Sequence, residues 1–346
     1  MTTGPLDTTA VRAPGKMMWL GEFAVLDGAP AVVAAVDRYV RATWRPFPGG
    51  PDFHEISVRS SLTDERLVLR AADGALPDAP THPALALLHA VAGVLRESPE
   101  GLRPDAGALE VDSHDLSGDA KLGLGSSGAV AAAATALLAG APLDDARLLA
   151  LALAAHHRFQ GGVGSGSDVI ASCHGGVLAV QRGEQPRRIA VPPGLYPVVV
   201  HTGAAADTRS IVRAVREALA RGRGVDPWRA LADVARRGVA ALEQGDVAGW
   251  ISAVRDFHHH ERELSEQTGV PIVTPTIDAV ARLAEPLGGA AKASGAGGGD
   301  VVIAFLPDAG RRDAFLAMAV QAGLEVLTLA VAPHGVLLPA PSARGR

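Results

Sequence analysis

Residues 121–140, KLGLGSSGAVAAAATALLAG, limit what this chain can fold into more than any other stretch. A glycine-serine loop (Gly123, Leu124, Gly125, Ser126, Ser127, Gly128) runs into an alanine-rich helical segment, Ala129 to Leu138. A helix start leaves about four backbone N–H groups without intrahelical partners, at the positive end of the helix dipole. Glycines let a bulky anion approach those amides, and serine hydroxyls cap the helix or reach a metal ion. Lys121 stands two residues before the first glycine. The stretch reads as an anion site, and phosphate is the anion it suits. GLGSSG also fits the G-x-G-x-x-G spacing of a dinucleotide turn, but that turn needs a strand running straight into it. Here the strand-like ALEV at 108–111 is followed by polar DSHDLSGDAK. No Gly-Lys-Ser/Thr occurs, so a Walker A loop is absent as well.

Composition narrows the function. A chain of 346 residues suggests about two domains, and 48% hydrophobic content with 20% charge is that of a globular protein. A net charge of −5 without basic clusters argues against a nucleic-acid partner. No apolar run reaches the roughly 20 residues needed to span a bilayer. The single cysteine, Cys173, excludes an internal disulfide framework and fits a reducing compartment. The expectation is a soluble, cytoplasmic protein without a membrane partner, monomer or homodimer. Lysine occurs only at positions 16, 121 and 292, against 29 arginines, and each lysine lies in or beside a Gly-rich segment. Lysine is a compact point charge that arginine does not replace at such a site.

In chain order, residues 12–40 read as strand, turn, strand, then a short apolar helix or strand, with Lys16 at an early strand and Glu22 close behind. Weak alternation over 40–70 predicts antiparallel strands, and helices are expected at 82–97 and 144–160. Asp168 follows four glycines, at 161, 162, 164 and 166, in a Gly-Ser loop that opens another helix. A carboxylate there is placed for contact with substrate; the plainer reading is a helix cap. VLAV at 177–180 closes a first domain, and the polar, proline-bearing 181–194 marks the boundary. Beyond it come a buried strand (YPVVVHTG), helices at 210–222, 226–244, 246–268 and 275–285, and KASGAGGGD leading into the strand 301–306. LEVLTLAVAP is expected as a last strand. The triplet His258-His259-His260 reads as surface or substrate-side polar residues, because consecutive helical side chains diverge by about 100°.

Three distant Gly-rich segments, each with a lysine or aspartate, suit phosphoryl transfer, which needs positioning and charge neutralisation more than covalent machinery. RAPGKMMWLGEFAVLDG, KLGLGSSGAV and KASGAGGGD resemble the three motifs of the GHMP small-molecule kinases. Within that superfamily AVDRYV, AHHRFQGGVGSGSDVIAS and GAGGGD are most similar to the phosphomevalonate kinases. Mevalonate kinases usually carry His where this chain has Phe23, and Gly where it has Asp300.

The resemblance implies an α+β fold of two domains. Residues 1–188 would be an ATP-binding domain like ribosomal protein S5 domain 2, and 189–346 a ferredoxin-like domain. It implies ATP-dependent phosphorylation of phosphomevalonate with Mg²⁺. By the same analogy residues 123–128 wrap the ATP phosphates and Ser127 is a Mg²⁺ ligand. Asp168 lies against the acceptor with Lys16 paired to it, and Lys121 neutralises the transferring phosphoryl group. On the substrate side come Glu22, Ser165 and Gly166, with Ser294, Gly295, Ala296 and Gly297 closing over the acceptor. Arg38, Arg158 and Lys292 are candidates to hold its phosphate. One departure stands out: related enzymes carry a metal-binding Glu where this chain reads His156-His157-Arg158. The alternatives are a mevalonate or other small-alcohol kinase, a non-catalytic ligand sensor on the same fold and, more remotely, an NAD-dependent oxidoreductase.

Overall fold

The long first strand has an interruption that places Lys16. In the structure, a computed structural model that describes residues 8–48, 55–70, 76–117, 122–162 and 164–337, β1 (Thr9–Leu20) pairs antiparallel with β2 (Ala31–Pro46). The register slips between Pro14 and Gly15 and again between Met18 and Leu20. Such irregularities re-aim the side chains that follow them. A short 3-10 turn, Ala24–Asp27, links the two strands. β3 (Glu55–Ser60) and β4 (Arg66–Arg70) form a hairpin, and β3 runs parallel to β5 (Gly107–Asp112). Between them lies α1 (Pro83–Arg96), capped by His82 with proline at its first position.

After α2 (His114–Ser117) come α3 (Ser126–Leu138), α4 (Asp145–Phe159) and α5 (Ser167–His174). β6 (Val177–Val180) and β7 (Arg187–Ile189) complete a seven-stranded sheet of order β4-β3-β5-β2-β6-β7, with β1 on β2. The alanines explain the position of α3. Ala129, Ala131, Ala132, Ala133 and Ala134 are fully buried, and their short side chains let the helix lie close against the sheet and against α1, α4 and α5.

The second sheet is antiparallel, of order β11-β8-β10-β9. Its strands are β8 (Tyr196–His201), β9 (Ala290–Ser294), β10 (Val301–Leu306) and β11 (Glu325–Leu327). The accompanying helices are α6 (Thr208–Ala220), α7 (Val225–Glu243), α8 (Val247–Thr268), α9 (Pro275–Ala284) and α10 (Ala309–Gln321). The largest of three apolar clusters joins the two sheets. At its centre Trp19 of β1 meets Trp250 of α8 at 6.3 Å and Phe305 of β10 at 5.2 Å, ring centre to ring centre.

Several expectations are corrected. α3 begins at Ser126 and not at Ala129, so both serines belong to its first turn. LEVLTLAVAP pairs only over Glu325–Leu327; the chain then returns to the first sheet, where Val331 bridges Val36. α10 was not anticipated, since only Phe315 and Ala319 of it are buried. His258 turns into the core beside Asp278, while His259 and His260 stay outside and both reach Glu263. Among the described residues no helix is long and apolar enough to cross a membrane.

Candidate active site

The glycine loop is fastened to β1. The Lys16 backbone N–H donates to Leu124 O at 2.7 Å, just past the first irregularity of the strand. Gly125 precedes α3 with φ of +74°, and a Cβ there would lie 2.6 Å from Lys16 Cγ. Only glycine allows both the turn and the lysine stem laid across it. At Gly128 a Cβ would come within 2.7 Å of the Asp168 backbone, so the helix can press against the next Gly-rich segment. No side chain caps the start of α3, which leaves its first amides for a ligand. Ser126 and Ser127 line a cavity of about 290 Å³ with Val130 and Phe159. Lys121 lies outside the described residues.

A histidine links the loop to the aspartate. His156 of α4 is 2% exposed, and its Nε2 lies 3.0 Å from Ser127 Oγ and 3.3 Å from Asp168 Oδ2. Asp168 sits in the first turn of α5, whose cap is Gly166, so the aspartate is not the cap. Sequence reasoning saw His156 only as a missing glutamate. The available signal was its register: Leu148, Leu151, Ala152, Ala155 and His156 form the buried stripe of α4, and a polar side chain on such a stripe requires a partner.

The third segment closes the site from the other sheet. Glu22 Oε1 accepts from Lys292 Nζ at 2.5 Å and from the Gly295 N–H at 3.2 Å, and both charged side chains are buried. Lys292 also donates to Ala293 O and lies 5.3 Å from the centre of the Phe257 ring. Glu261 of α8 is fully buried nearby, with neither carboxyl oxygen hydrogen-bonded among the described residues. Burial, with Glu22 beside it, pushes the Glu261 carboxyl up to about 8, against the pull of Lys292. The Ser294 hydroxyl accepts from the Met18 N–H at 3.0 Å. Asp300, buried at φ +55°, abuts Gly123, and its Oδ1 accepts from the Ala206 N–H at 3.0 Å. With Phe23, at φ +58°, it is one of two described non-glycine residues at positive φ, and both flank the site. Strain of this kind concentrates where function fixes the backbone.

These elements enclose an open cavity of about 190 Å³. Of the expected residues, Lys16, Glu22, Ser165, Asp168, Gly295 and Ala296 line it together. Phe23, Val25, Leu26 and Val212 give it an apolar side, and Thr208 and Arg209 of α6 a polar one; none of these six was anticipated in that role. Gly166 faces an adjoining hollow beside His156. Gly297 packs its backbone against Ile272. The three expected phosphate holders each have a protein partner. Lys292 is sealed in its pair with Glu22, Arg38 is bound to Asp115 at 3.4 Å, and Arg158 is bound to Glu97.

Comparison with known proteins bears on this geometry. Residues 87–176 match the GHMP kinases N terminal domain and residues 239–323 the GHMP kinases C terminal domain. A phosphomevalonate kinase of Streptomyces sp. (strain CL190) is 34% identical over 90% of this chain and 93% of its own. The chain belongs to the GHMP kinase family. A mevalonate kinase of Aeropyrum pernix is 30% identical, over 94% of this kinase and 97% of its own length. The crystal structure of Streptococcus pneumoniae phosphomevalonate kinase with phosphomevalonate and AMPPNP has the same fold (TM-score 0.77, 22% identity, 93% of this kinase and 99% of that chain). The kinase is thus an ATP-dependent small-molecule kinase of two-domain GHMP architecture.

Proposed function

We propose that this kinase transfers the γ-phosphoryl group of ATP to phosphomevalonate, giving diphosphomevalonate for isoprenoid synthesis. The observation that carries the reading is the single cavity in which Lys16 and Asp168, the latter tied through His156 to Ser127 of the nucleotide loop, meet an apolar wall. The 34% identity to a phosphomevalonate kinase supports the choice of acceptor. The division into an ATP-binding part, 1–188, and an acceptor-side part, 189–346, is proposed with it.

The uncapped amides of α3 would hold the ATP phosphates, and Lys16 would offset the charge of the transferring group. Lys121 keeps the same role on the resemblance alone. Mg²⁺ fits the donor set present: the Ser127 hydroxyl and Asp168 carboxylate are hard oxygen donors, and His156 hydrogen-bonds to Ser127 and lies 3.3 Å from Asp168. Bound with the nucleotide, the ion supplies charge neutralisation. The acceptor phosphate has a second pKa of about 6 and is already largely dianionic at neutral pH. Asp168 therefore orients the acceptor and balances charge, and no strong base is required.

ADP release measured across a panel of acceptors, with phosphomevalonate and mevalonate first, tests the reading. Phosphomevalonate is expected to give the highest kcat/KM. Equal or better turnover of mevalonate would replace the reading with that of an alcohol kinase.

A further inference from the structure

If the acceptor arrives phosphorylated, its phosphate needs a cation, and the candidates visible in the sequence are bound elsewhere. Lys292 is committed to Glu22, Arg38 to Asp115 and Arg158 to Glu97. Four charged side chains line the cavity: Lys16, Glu22, Asp168 and Arg209. Glu22 is held by Lys292, Asp168 lies beside His156, and the Lys16 stem rests on the nucleotide loop at Gly125. Arg209 is different. It pairs with no carboxylate among the described residues, and its guanidinium lies 5.1 Å over the ring of Phe159. The adjacent Asp207 caps α6 through the Ser210 N–H and hydroxyl. A guanidinium resting over an aromatic ring still has N–H donors to offer an oxyanion in two parallel bonds. Thr208, next in the same helical turn, adds a hydroxyl to the cavity.

Position gives the cation its role. Lys16 and Asp168 come from the elements of the first sheet, at the nucleotide loop. Arg209 comes from the start of α6, between strands of the second sheet, and faces the same cavity. We infer that Arg209, with the Thr208 hydroxyl beside it, grips the phosphate the acceptor already carries, and so selects a phosphorylated acceptor over the free alcohol. This rests on the proposed acceptor class and names the residue that sets it. Arginine suits the task better than lysine, because its fork matches a phosphate edge and remains charged at every working pH.

The test uses the full chain with Arg209→Met, which keeps length and removes charge, and Arg209→Lys, which keeps charge and removes the fork. KM for phosphomevalonate, KM or Ki for mevalonate and KM for ATP are measured at saturating co-substrate, with a melting curve for each variant. Because Arg209 is exposed, the melts are expected to match the parent. The Met variant is expected to raise the phosphomevalonate KM about 10–100-fold, the loss of charge-assisted hydrogen bonds. Its constants for mevalonate and ATP should stay within about twofold, with Lys in between. A proportional loss with both acceptors, a rise confined to ATP, or no change at all would each overturn the assignment. A parent enzyme that prefers mevalonate would instead remove the proposed acceptor class, whatever the variants do.

Discussion

Replacing Lys292 with methionine tests the reading of the buried charges. The lysine is 0% exposed and joins Glu22, itself 4% exposed, at 2.5 Å. Methionine fills most of the same space, so the change removes a charge and leaves little cavity. Glu22 then keeps the Gly295 N–H as a donor but has no cation, with Glu261 buried close by. Removing one member of a buried pair costs about 3–5 kcal/mol, mostly through the charge left behind. At roughly 2 °C per kcal/mol for a chain of this size, the melting temperature should fall by about 6–10 °C. Calorimetric melting and urea midpoints at pH 7 give the measurement. Lys292→Met combined with Glu22→Gln should recover part of the loss, since the stranded carboxylate is gone. Glu261 supplies a second check. Its folded-state value of about 8 lies above its ordinary 4.5, so the folded protein binds the extra proton between those values. Stability should therefore fall as pH rises through that window, and Glu261→Gln should flatten the decline. A Lys292→Met protein as stable as the parent, or an unchanged slope in Glu261→Gln, would refute the account.

Ser127→Ala should lower kcat and raise the Mg²⁺ requirement. Its melting temperature should fall by only a few degrees, because the hydroxyl caps nothing in α3 and His156 keeps Asp168 at 3.3 Å when the Ser127 bond is lost; a large drop with unchanged kinetics would make the hydroxyl structural. Asp168→Asn should lose less than the roughly 10²–10⁴-fold typical of a general base, and its kcat should still fall as pH drops through about 6. Loss of that acid limb would assign it to Asp168. Gly125→Ala places a Cβ 2.6 Å from Lys16 Cγ at a φ of +74°. It should cut kcat/KM at least about tenfold while circular dichroism stays native, and normal kinetics would show that Lys16 needs no such bed.

The three glycine segments were legible as turns because their message is local: glycine takes the positive φ that such turns need. The helix bearing Asp168 was legible for the same reason. His156 was not, since its meaning comes from the face of α4 it occupies and from a serine 29 positions earlier. Lys292 looked like a substrate ligand because it adjoins a glycine turn. Pairing of β9 with β10 instead places it in the sheet, where Glu22, 270 positions away, is its partner. Arg209 was hidden among 29 arginines, and only the fold distinguishes a cation facing a cavity from one facing water. α10 escaped notice because two buried residues in 13 make no visible stripe.

The meeting of Trp19, Trp250 and Phe305 also limits how the enzyme can move. Each ring sits edge-on or tilted to the other two, and all three are sealed from solvent. An aromatic side chain of this size buries about 150–250 Å². At about 25 cal/mol per Å², each ~100 Å² exposed by parting them would cost about 2.5 kcal/mol. A hinge that swings the second sheet away from the first would have to part these rings. The β1–β2 turn and the start of α6 line the cavity outside that aromatic contact and are free of this constraint. Movement of those turns leaves the aromatic contact intact, whereas movement of a whole sheet does not.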